Sequence, residues 1–339
     1  MKKIKVQDAV GMVLAHDMTQ IVPGQFKGVA FKKGHVVTAS DIPGLLKIGK
    51  QSIYALDLGE DLLHENDAAR RIAAAISDTA LALSEPSEGK VSISAPVSGL
   101  LKVDPDTLLQ VNQMDSIIVA TLKNNFPCKK GQVVAGTRII PLTIEKERIK
   151  TLESLMSGCD PVLSVKPFKS LKVGAVVTGS EVYNGLITDD FGNSIGQKLT
   201  DAGCRLERKI LVPDDEIRIA EAIKELRQLG CELIITTGGL SVDPDDVTPQ
   251  GVARAGAEPI FYGSPILPGA MLMISQLDTV PVVSLPACVF YYKHTVFDLI
   301  FPRLLAGERI TREDMAAMGH GGLCLNCEVC HYPVCPFGR

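Results

Sequence analysis

The chain has 339 residues, and at about 150 residues per domain this length calls for two domains or slightly more. Hydrophobic residues make up 46% and charged residues 22%, which supports ordinary packed cores and argues against wholesale disorder. Lys plus Arg is 35 against 39 for Asp plus Glu, the formal net charge is -4, and there is no Trp; this balance argues against a polybasic nucleic-acid or membrane-surface protein and against a stacking platform for single strands.

No apolar run reaches the length of a bilayer span. The basic start Met1-Lys2-Lys3 runs straight into Lys5, Gln7 and Asp8, not into an apolar stretch, so a cytoplasmic protein is expected. In the first sixty residues Pro23-Gly24, Lys33-Gly34, Pro43-Gly44 and Leu58-Gly59 separate short apolar runs, which predicts short strands joined by turns. Ile72, Ile76, Ala80 and Leu83 recur at helical spacing, predicting a helix from Glu65 to about Leu83. Val91 to Leu142 reads as a small all-β unit, with Leu100-Leu101-Lys102-Val103 and Ile117-Ile118-Val119-Ala120 as strands and Asp104-Pro105-Asp106 as a turn. A charged helix from about Ile144 to Met156 leads to the loop Lys166-Pro167-Phe168-Lys169, the expected domain boundary.

Beyond it strands and helices alternate. Leu171 to Val177, Cys204 to Val212, Leu233 to Thr237, a stretch near Ile260, Met271 to Ile274 and Val280 to Leu285 read as strands. Helices are expected from about Ser194 to Ala202, after Pro213-Asp214-Asp215-Glu216 with Asp214 as its cap, from Thr248-Pro249 to near Gly256, and from about Phe290 to Ala306. This alternation predicts an α/β domain with a mainly parallel sheet covered on both faces. The expected organisation is an N-terminal α+β region over 1–90, a small β-rich region with a linker helix over 91–165, the α/β domain over 166–310, and a Cys-rich tail over 311–339.

Ligands of such sheets bind beyond the carboxyl ends of the strands. Three loops should meet there: Thr178-Gly179-Ser180-Glu181, the long run from Thr236-Thr237-Gly238-Gly239 through Ser241, Asp243, Asp245 and Asp246 to Thr248-Pro249, and Ser264 to Pro268-Gly269. A Gly-Gly pair after a strand is on its own an ordinary tight turn. It also allows positive φ and brings backbone N–H groups close to an anion. The hydroxyls of Thr178, Ser180, Thr236, Thr237 and Ser241 add donors, and a helix start at Thr248 adds positive dipole. Asp243, Asp245 and Asp246 would repel a phosphate unless a divalent cation lay between, a shell that magnesium favours. Glu181 and Asp189 are further carboxylates within reach of such a shell. The loops therefore read as a phosphate-ester site with a metal ion.

The stretch from Lys172 to about Gly307 resembles the molybdopterin-binding domain of molybdenum cofactor biosynthesis proteins. The resemblance is carried by Thr178-Gly179-Ser180-Glu181, Asp189 with Asn193, Pro213-Asp214-Asp215, Thr236-Thr237-Gly238-Gly239 with Asp246-Val247-Thr248-Pro249, Pro268-Gly269 and Leu285-Pro286. It implies a three-layer α/β/α fold, a site for the phosphate and pterin of molybdopterin, and magnesium held by Glu181 and Asp246 with Asp214 or Asp215. Two enzymes share the domain: an adenylyltransferase that uses ATP, and a molybdenumtransferase that inserts molybdate and carries extra β-rich N-terminal regions similar in layout to 1–165. The family usually has Leu-Pro-Gly and an Asn- or Gln-Pro pair after the last core strand. This chain has Leu285-Pro286-Ala287-Cys288-Val289-Phe290, which puts the two reactions in doubt more than binding.

The tail holds Cys324, Cys327, Cys330 and Cys335 within twelve residues. With few apolar residues of its own, its order is expected to depend on a metal, either zinc or an iron–sulfur cluster. The expectation is a molybdopterin-binding protein of cofactor biosynthesis. Glu181, Asp246 and Asp214 are its candidate catalytic groups, and the loop hydroxyls and glycines with Asp243, Pro268 and Gly269 hold the substrate. Asp245 and Asp246 are the candidate magnesium ligands. The alternative is a non-catalytic cofactor carrier or sensor. Expected partners are molybdopterin, ATP or molybdate, and a molybdoenzyme or other pathway protein. A homo-oligomer is expected, with no nucleic acid and no membrane.

Overall fold

The computed structural model describes residues 2–55, 61–140 and 142–338, which divide into two units, Met1–Val165 and Lys166–Arg339. The predicted turn at Leu58-Gly59 lies outside the described residues. Among the described residues no helix is long and apolar enough to cross a membrane.

In the first unit, Lys2–Lys5 pairs with Ser52–Ala55 and Met18–Val22 pairs with Phe26–Phe31, both antiparallel. Val6, Leu14, Leu45 and Ile53 form a small core. Pro43-Gly44 is not a turn. It lies in the first turn of a helix, Ile42–Lys47, where the missing proline N–H removes no intrahelical bond. The helix Glu65–Ile76 stops well before Leu83 because Ser77 leaves helical geometry (φ -105°, ψ 143°) and Asp78 Oδ1 accepts from Ala80 N at 2.8 Å. Ala82–Leu83 instead joins a sheet with Lys90–Ser94, Val133–Ile139 and Ile117–Thr121. Asp104-Pro105-Asp106 is not a turn either. Asp104 caps the helix Pro105–Gln113 by accepting from the amides of Asp106 and Thr107. Asp-Pro serves a turn and a helix start equally well, so the region over 91–142 is not all β. The linker helix is Lys146–Met156, and the expected boundary loop overlaps a strand, Leu163–Pro167.

The second unit is built on six strands: β1 (Lys172–Thr178), β2 (Arg205–Val212), β3 (Leu233–Thr237), β4 (Glu258–Tyr262), β5 (Met273–Leu277) and β6 (Val280–Leu285). They form one sheet in the order β2-β1-β3-β6-β5-β4. β1, β2, β3 and β6 are mutually parallel, and β5 is antiparallel to both β6 and β4, so β5 alone runs against the other strands of this sheet. The predicted mainly parallel sheet is therefore present. β3 is buried along its whole length, the state that a continuous Leu-Ile-Ile-Thr-Thr run requires. The helices are α1 (Ser180–Tyr183), α2 (Gln197–Asp201), α3 (Glu216–Gln228), α4 (Thr248–Arg254), α5 (Val296–Leu305) and α6 (Arg312–Ala317). Alternation along the strands sends Val176, Ile234 and Val282 to one face, against Ile219, Ile223 and Leu226 of α3. It sends Val173, Ile235 and Val283 to the other, against Ile195, Leu199 of α2 and Phe297, Ile300 of α5. Helices thus cover both faces, which makes the three layers.

The tail belongs to the same core. Phe337 is buried within it. Tyr332 donates to Asp298 O at 2.7 Å and stacks on His294 with ring centroids 4.4 Å apart. These side chains, discounted in reading the sequence, supply apolar anchoring where order was expected to rest on metal.

Candidate functional site

β1, β3 and β6 are parallel, so Thr178, Thr237 and Leu285 end at the same edge of the sheet. The turns that follow them are tied together. Thr178 Oγ1 donates to Thr237 O at 2.9 Å. Thr248 Oγ1 donates to Gly238 O at 2.9 Å and lies 3.2 Å from Thr178 Oγ1. Two hydroxyls own two protons, so with both carbonyl bonds made the third contact is close packing without its own proton. Gly238 N donates to Leu285 O at 3.3 Å, which joins the Gly-Gly turn to the end of β6. Tyr262 Oη donates to Leu240 O at 2.6 Å, which joins it to β4. Burial, with the negative charge of Asp246 beside it, holds the Tyr262 phenol above its ordinary pKa.

The glycines are required by space as well as by conformation. Gly238 has φ +88°, and a Cβ there would sit 2.6 Å from Thr178 O. Gly239 has φ +59°, and its Cβ would sit 2.4 Å from Thr248 Oγ1. Among the described residues the amides of Gly239, Leu240 and Ser241 make no hydrogen bond. These three, rather than the Gly238–Gly239 pair expected from sequence, are the free donors of the turn. α4 adds little: it has seven residues, and Thr248 N is donated to Gly239 O at 3.2 Å.

The expected site residues fall into distinct groups. Thr178 braces the turn with its hydroxyl. Thr236 and Thr237 are fully buried, and their hydroxyls have no partner among the described residues. Thr236 shares a strand face with Ile234, which packs against α3, so its side chain lies inside the sheet layer and not in the turn. Ser180 and Asp214 hold each other: Ser180 N donates to Asp214 Oδ2 at 2.8 Å, and Asp214 N donates to Ser180 Oγ at 3.3 Å. The cap of α3 is therefore Asp215, which accepts from Ile217 and Arg218 amides, not Asp214. Asp189 is paired with Lys209 and accepts from Phe191 N. Gly179 (φ +139°) starts α1, and Glu181 and Ser241 are exposed. Asp243 Oδ1 accepts from Asp245 N at 3.2 Å, and Asp243 and Asp245 are exposed while Asp246 is half-buried.

Pro268 and Gly269 line a pocket of about 430 Å³ with Pro286, Cys288, Tyr292 and Leu323 among its other walls. Gly269 has φ +129°, and a Cβ would sit 2.3 Å from Val296 Cγ1. The unusual stretch after β6 forms a short 3-10 turn, Ala287–Phe290, and burial pushes the Cys288 thiol up. Of the tail thiols, Cys324 and Cys335 pack against the core, while Cys327 and Cys330 are exposed. Among the described residues no group of three or more His, Cys, Asp or Glu side chains is gathered to hold a metal ion. A four-thiolate centre would require the tail cysteines to be drawn together.

Sequence reasoning missed Thr248 as a brace, Tyr262, and the contribution of 323–326 to the pocket. Thr248 stood out only as a helix start, and the partner of its hydroxyl lies ten residues back. Nothing local to Tyr262 marks it.

A turn of free amides lies beyond the carboxyl ends of parallel strands, the place where α/β sheets of this class take their ligands. Comparison with known proteins specifies the type. Residues 174–306 match the family described as "Probable molybdopterin binding domain", so the second unit carries a domain of the molybdopterin-binding family. Residues 3–57 match a domain of unknown function. The chain is 36% identical over 97 residues to a CinA-like protein of Citrifermentans bemidjiense, covering 29% of this chain and 23% of that protein. It is 25% identical over 143 residues to a molybdopterin molybdenumtransferase of Synechococcus elongatus, covering 40% of this chain and 36% of that protein. Both matches span well under half of the relative. Among solved structures, the tungsten cofactor synthesizing protein MoaB from Pyrococcus furiosus is 19% identical, with 42% of this chain and 99% of that chain covered and a TM-score of 0.33.

Proposed function

We propose that the second unit binds molybdopterin at this edge, with the phosphate on the amides of Gly239, Leu240 and Ser241 and the pterin toward Pro268, Gly269 and Pro286. The observation that carries this reading is the set of hydrogen bonds joining the ends of β1, β3 and β6 to the Gly-Gly turn. They hold the turn that carries the free amides in a fixed place without using those amides. The family match over 174–306 supports the ligand class.

Magnesium fits as a bridging ion. With no three carboxylates gathered among the described residues, it would be held by Asp246, with Glu181 from the neighbouring strand end, and by the ligand's own phosphate, the sparse shell magnesium commonly uses. Bound there it would neutralise phosphate charge. Ser180 and Asp214 position the backbone that carries Glu181, since each holds the other's amide. Calorimetric titration with molybdopterin, with and without magnesium, tests the reading. Asp246→Ala should lower metal-dependent affinity and leave the fold intact, and unchanged affinity refutes its role.

Adenylyl or molybdate transfer and non-catalytic carriage are two versions of this reading. The 3-10 turn at Ala287–Phe290, with Val289 buried, favours carriage, because a compact side-chain-bearing turn stands where the family usually has glycine. Turnover assays with ATP and then with molybdate separate them: tight binding with no product marks a carrier. Metal binding by the four tail cysteines is a separate part of the proposal. Metal analysis and an absorption spectrum of anaerobically purified protein decide between zinc, an iron–sulfur cluster and neither.

A further inference from the structure

The pocket beside the Gly-Gly turn is not built from the family domain alone. Leu323, Cys324 and Asn326 line it together with Pro268, Pro286 and Tyr292. The first three lie beyond the family match, which ends at 306. Their place is fixed by backbone bonds. Leu267 N donates to Gly322 O at 2.8 Å, and Cys324 N donates to Leu267 O at 2.8 Å. Gly322 is wedged so closely that a Cβ would sit 2.6 Å from Pro265 O and 2.8 Å from Met318 O.

Three properties of this wall point to its ligand. First, the lining contains no Asp, Glu, Lys or Arg, so it suits a neutral group. Second, it adjoins the anion turn, because Pro286 follows Leu285, whose carbonyl accepts from Gly238 N. A ligand that spans both is a neutral flat ring system bearing a phosphate. Third, Asn326 sits in the left-handed region at φ +49°. Asn reaches this region more readily than other side chains; the residue stands at the exposed rim of the pocket, and among the described residues its carboxamide makes no hydrogen bond, so a ligand there would take the place of water. A carboxamide presents a donor and an acceptor side by side in one plane. The complementary edge is the adjacent N–H and C=O of a lactam ring, found in pterins.

We propose that 323–326 is a working wall of the ligand pocket and that the Asn326 carboxamide recognises the lactam edge of the bound heterocycle, while Leu323 and Leu267 flank its face. This rests on the edge being a pterin-phosphate site, and it makes the tail a determinant of which ring is accepted.

The test is a fluorescence titration of the full chain with 6-hydroxymethylpterin phosphate, in parallel with a competition by inorganic phosphate. Asn326→Gly keeps the left-handed backbone and removes the carboxamide; Asn326→Ser removes the paired donor and acceptor while keeping a small polar group and adding no charge. Both should weaken pterin-phosphate binding roughly tenfold, the loss of one or two hydrogen bonds, and leave phosphate affinity and the unfolding temperature as in the wild type. Wild-type binding with unchanged affinity in both variants overturns the role of Asn326 and leaves the site itself standing. Absence of pterin-phosphate binding by the wild type overturns the underlying site and the wall with it.

Discussion

Thr248→Val removes one oxygen from the centre of the brace and keeps its volume. The residue is fully buried. Its hydroxyl donates to Gly238 O and packs 3.2 Å from Thr178 Oγ1. The lost neutral hydrogen bond is worth about 1 kcal/mol, and an unpaired buried carbonyl adds about 1–3 kcal/mol. Gly238 is only half-buried, so water repairs part of that second cost, and the total should be about 2 kcal/mol. For a domain of roughly 150–250 residues this lowers the unfolding temperature by about 4–8 °C. Thr248→Ser restores the hydroxyl and loses one methyl, so it should recover more than half the deficit. Urea unfolding followed by circular dichroism measures both, with the denaturant slope checking that the unfolded state is unchanged. If the valine variant unfolds within about 0.5 kcal/mol of wild type, the hydroxyl does not brace the turn. The inferred rigidity of the free amides then fails as well.

Four further outcomes are expected. Gly269→Ala should destabilise the second unit by at least about 1–3 kcal/mol through overpacking, because its Cβ would meet Val296 Cγ1 at 2.3 Å and also Val296 Cβ at 2.6 Å, at a backbone φ of +129°; adding Val296→Ala leaves the Cβ contact and should not restore the urea midpoint. Burial pushes the Asp298 carboxyl up, but hydrogen bonds from His294, Lys198 and the Thr295 amide, together with the charge of Lys198, outweigh it and hold the pKa below its ordinary value. The stability it contributes is complete above the ordinary carboxylate pKa and is lost as pH falls through the lower folded value, so the urea midpoint of wild type should fall more steeply below about pH 4 than that of Asp298→Asn. Phe337→Ala should cost about 3–5 kcal/mol, since the ring is 4% exposed in the core, and a cost under 1 kcal/mol would mean the tail is only draped on the unit. Ser241→Ala, at an exposed hydroxyl, should leave stability within about 0.5 kcal/mol and weaken ligand binding only if the hydroxyl touches ligand, which titration reads directly.

The α/β alternation after residue 166 is legible because the central strands β1, β3 and β6 are largely apolar, buried runs and four of the helices are followed by glycine at positive φ, Gly203, Gly230, Gly256 and Gly307. The first unit is harder to read. Asp104-Pro105 and Pro43-Gly44 belong to helices, and the same dipeptides serve turns, so local chemistry does not separate the two. The edge of the sheet follows from strand polarity, and the glycines of the long loop follow from their spacing. Which hydroxyls face outward does not. Thr236 and Thr237 alternate by strand geometry into buried layers, and Thr178 is diverted to a carbonyl 59 residues away. Such pairings depend on register between distant strands, which single-sequence periodicity does not carry. The same holds for Asn326, whose place in the pocket depends on the bond between Leu267 and Gly322.

These placements explain why small and hydroxyl residues crowd three separate strand ends. Gly238 and Gly239 admit the close approach of Thr178 and Thr248. Those threonines then hold the carbonyls of Thr237 and Gly238, so the carbonyl oxygens are turned into the fold and away from an incoming anion. A phosphate meeting the turn would face amide donors with its natural competitors already occupied inside. On the proposed reading the carboxylates of Asp246 and Glu181 would repel phosphate in the absence of a cation and would favour a cation that tolerates phosphate as a co-ligand. Removing a brace should therefore lower stability and affinity together, whereas removing Asp246 should lower affinity alone and only when magnesium is present. A brace variant that loses stability with undiminished affinity would show that the ligand can organise the turn by itself.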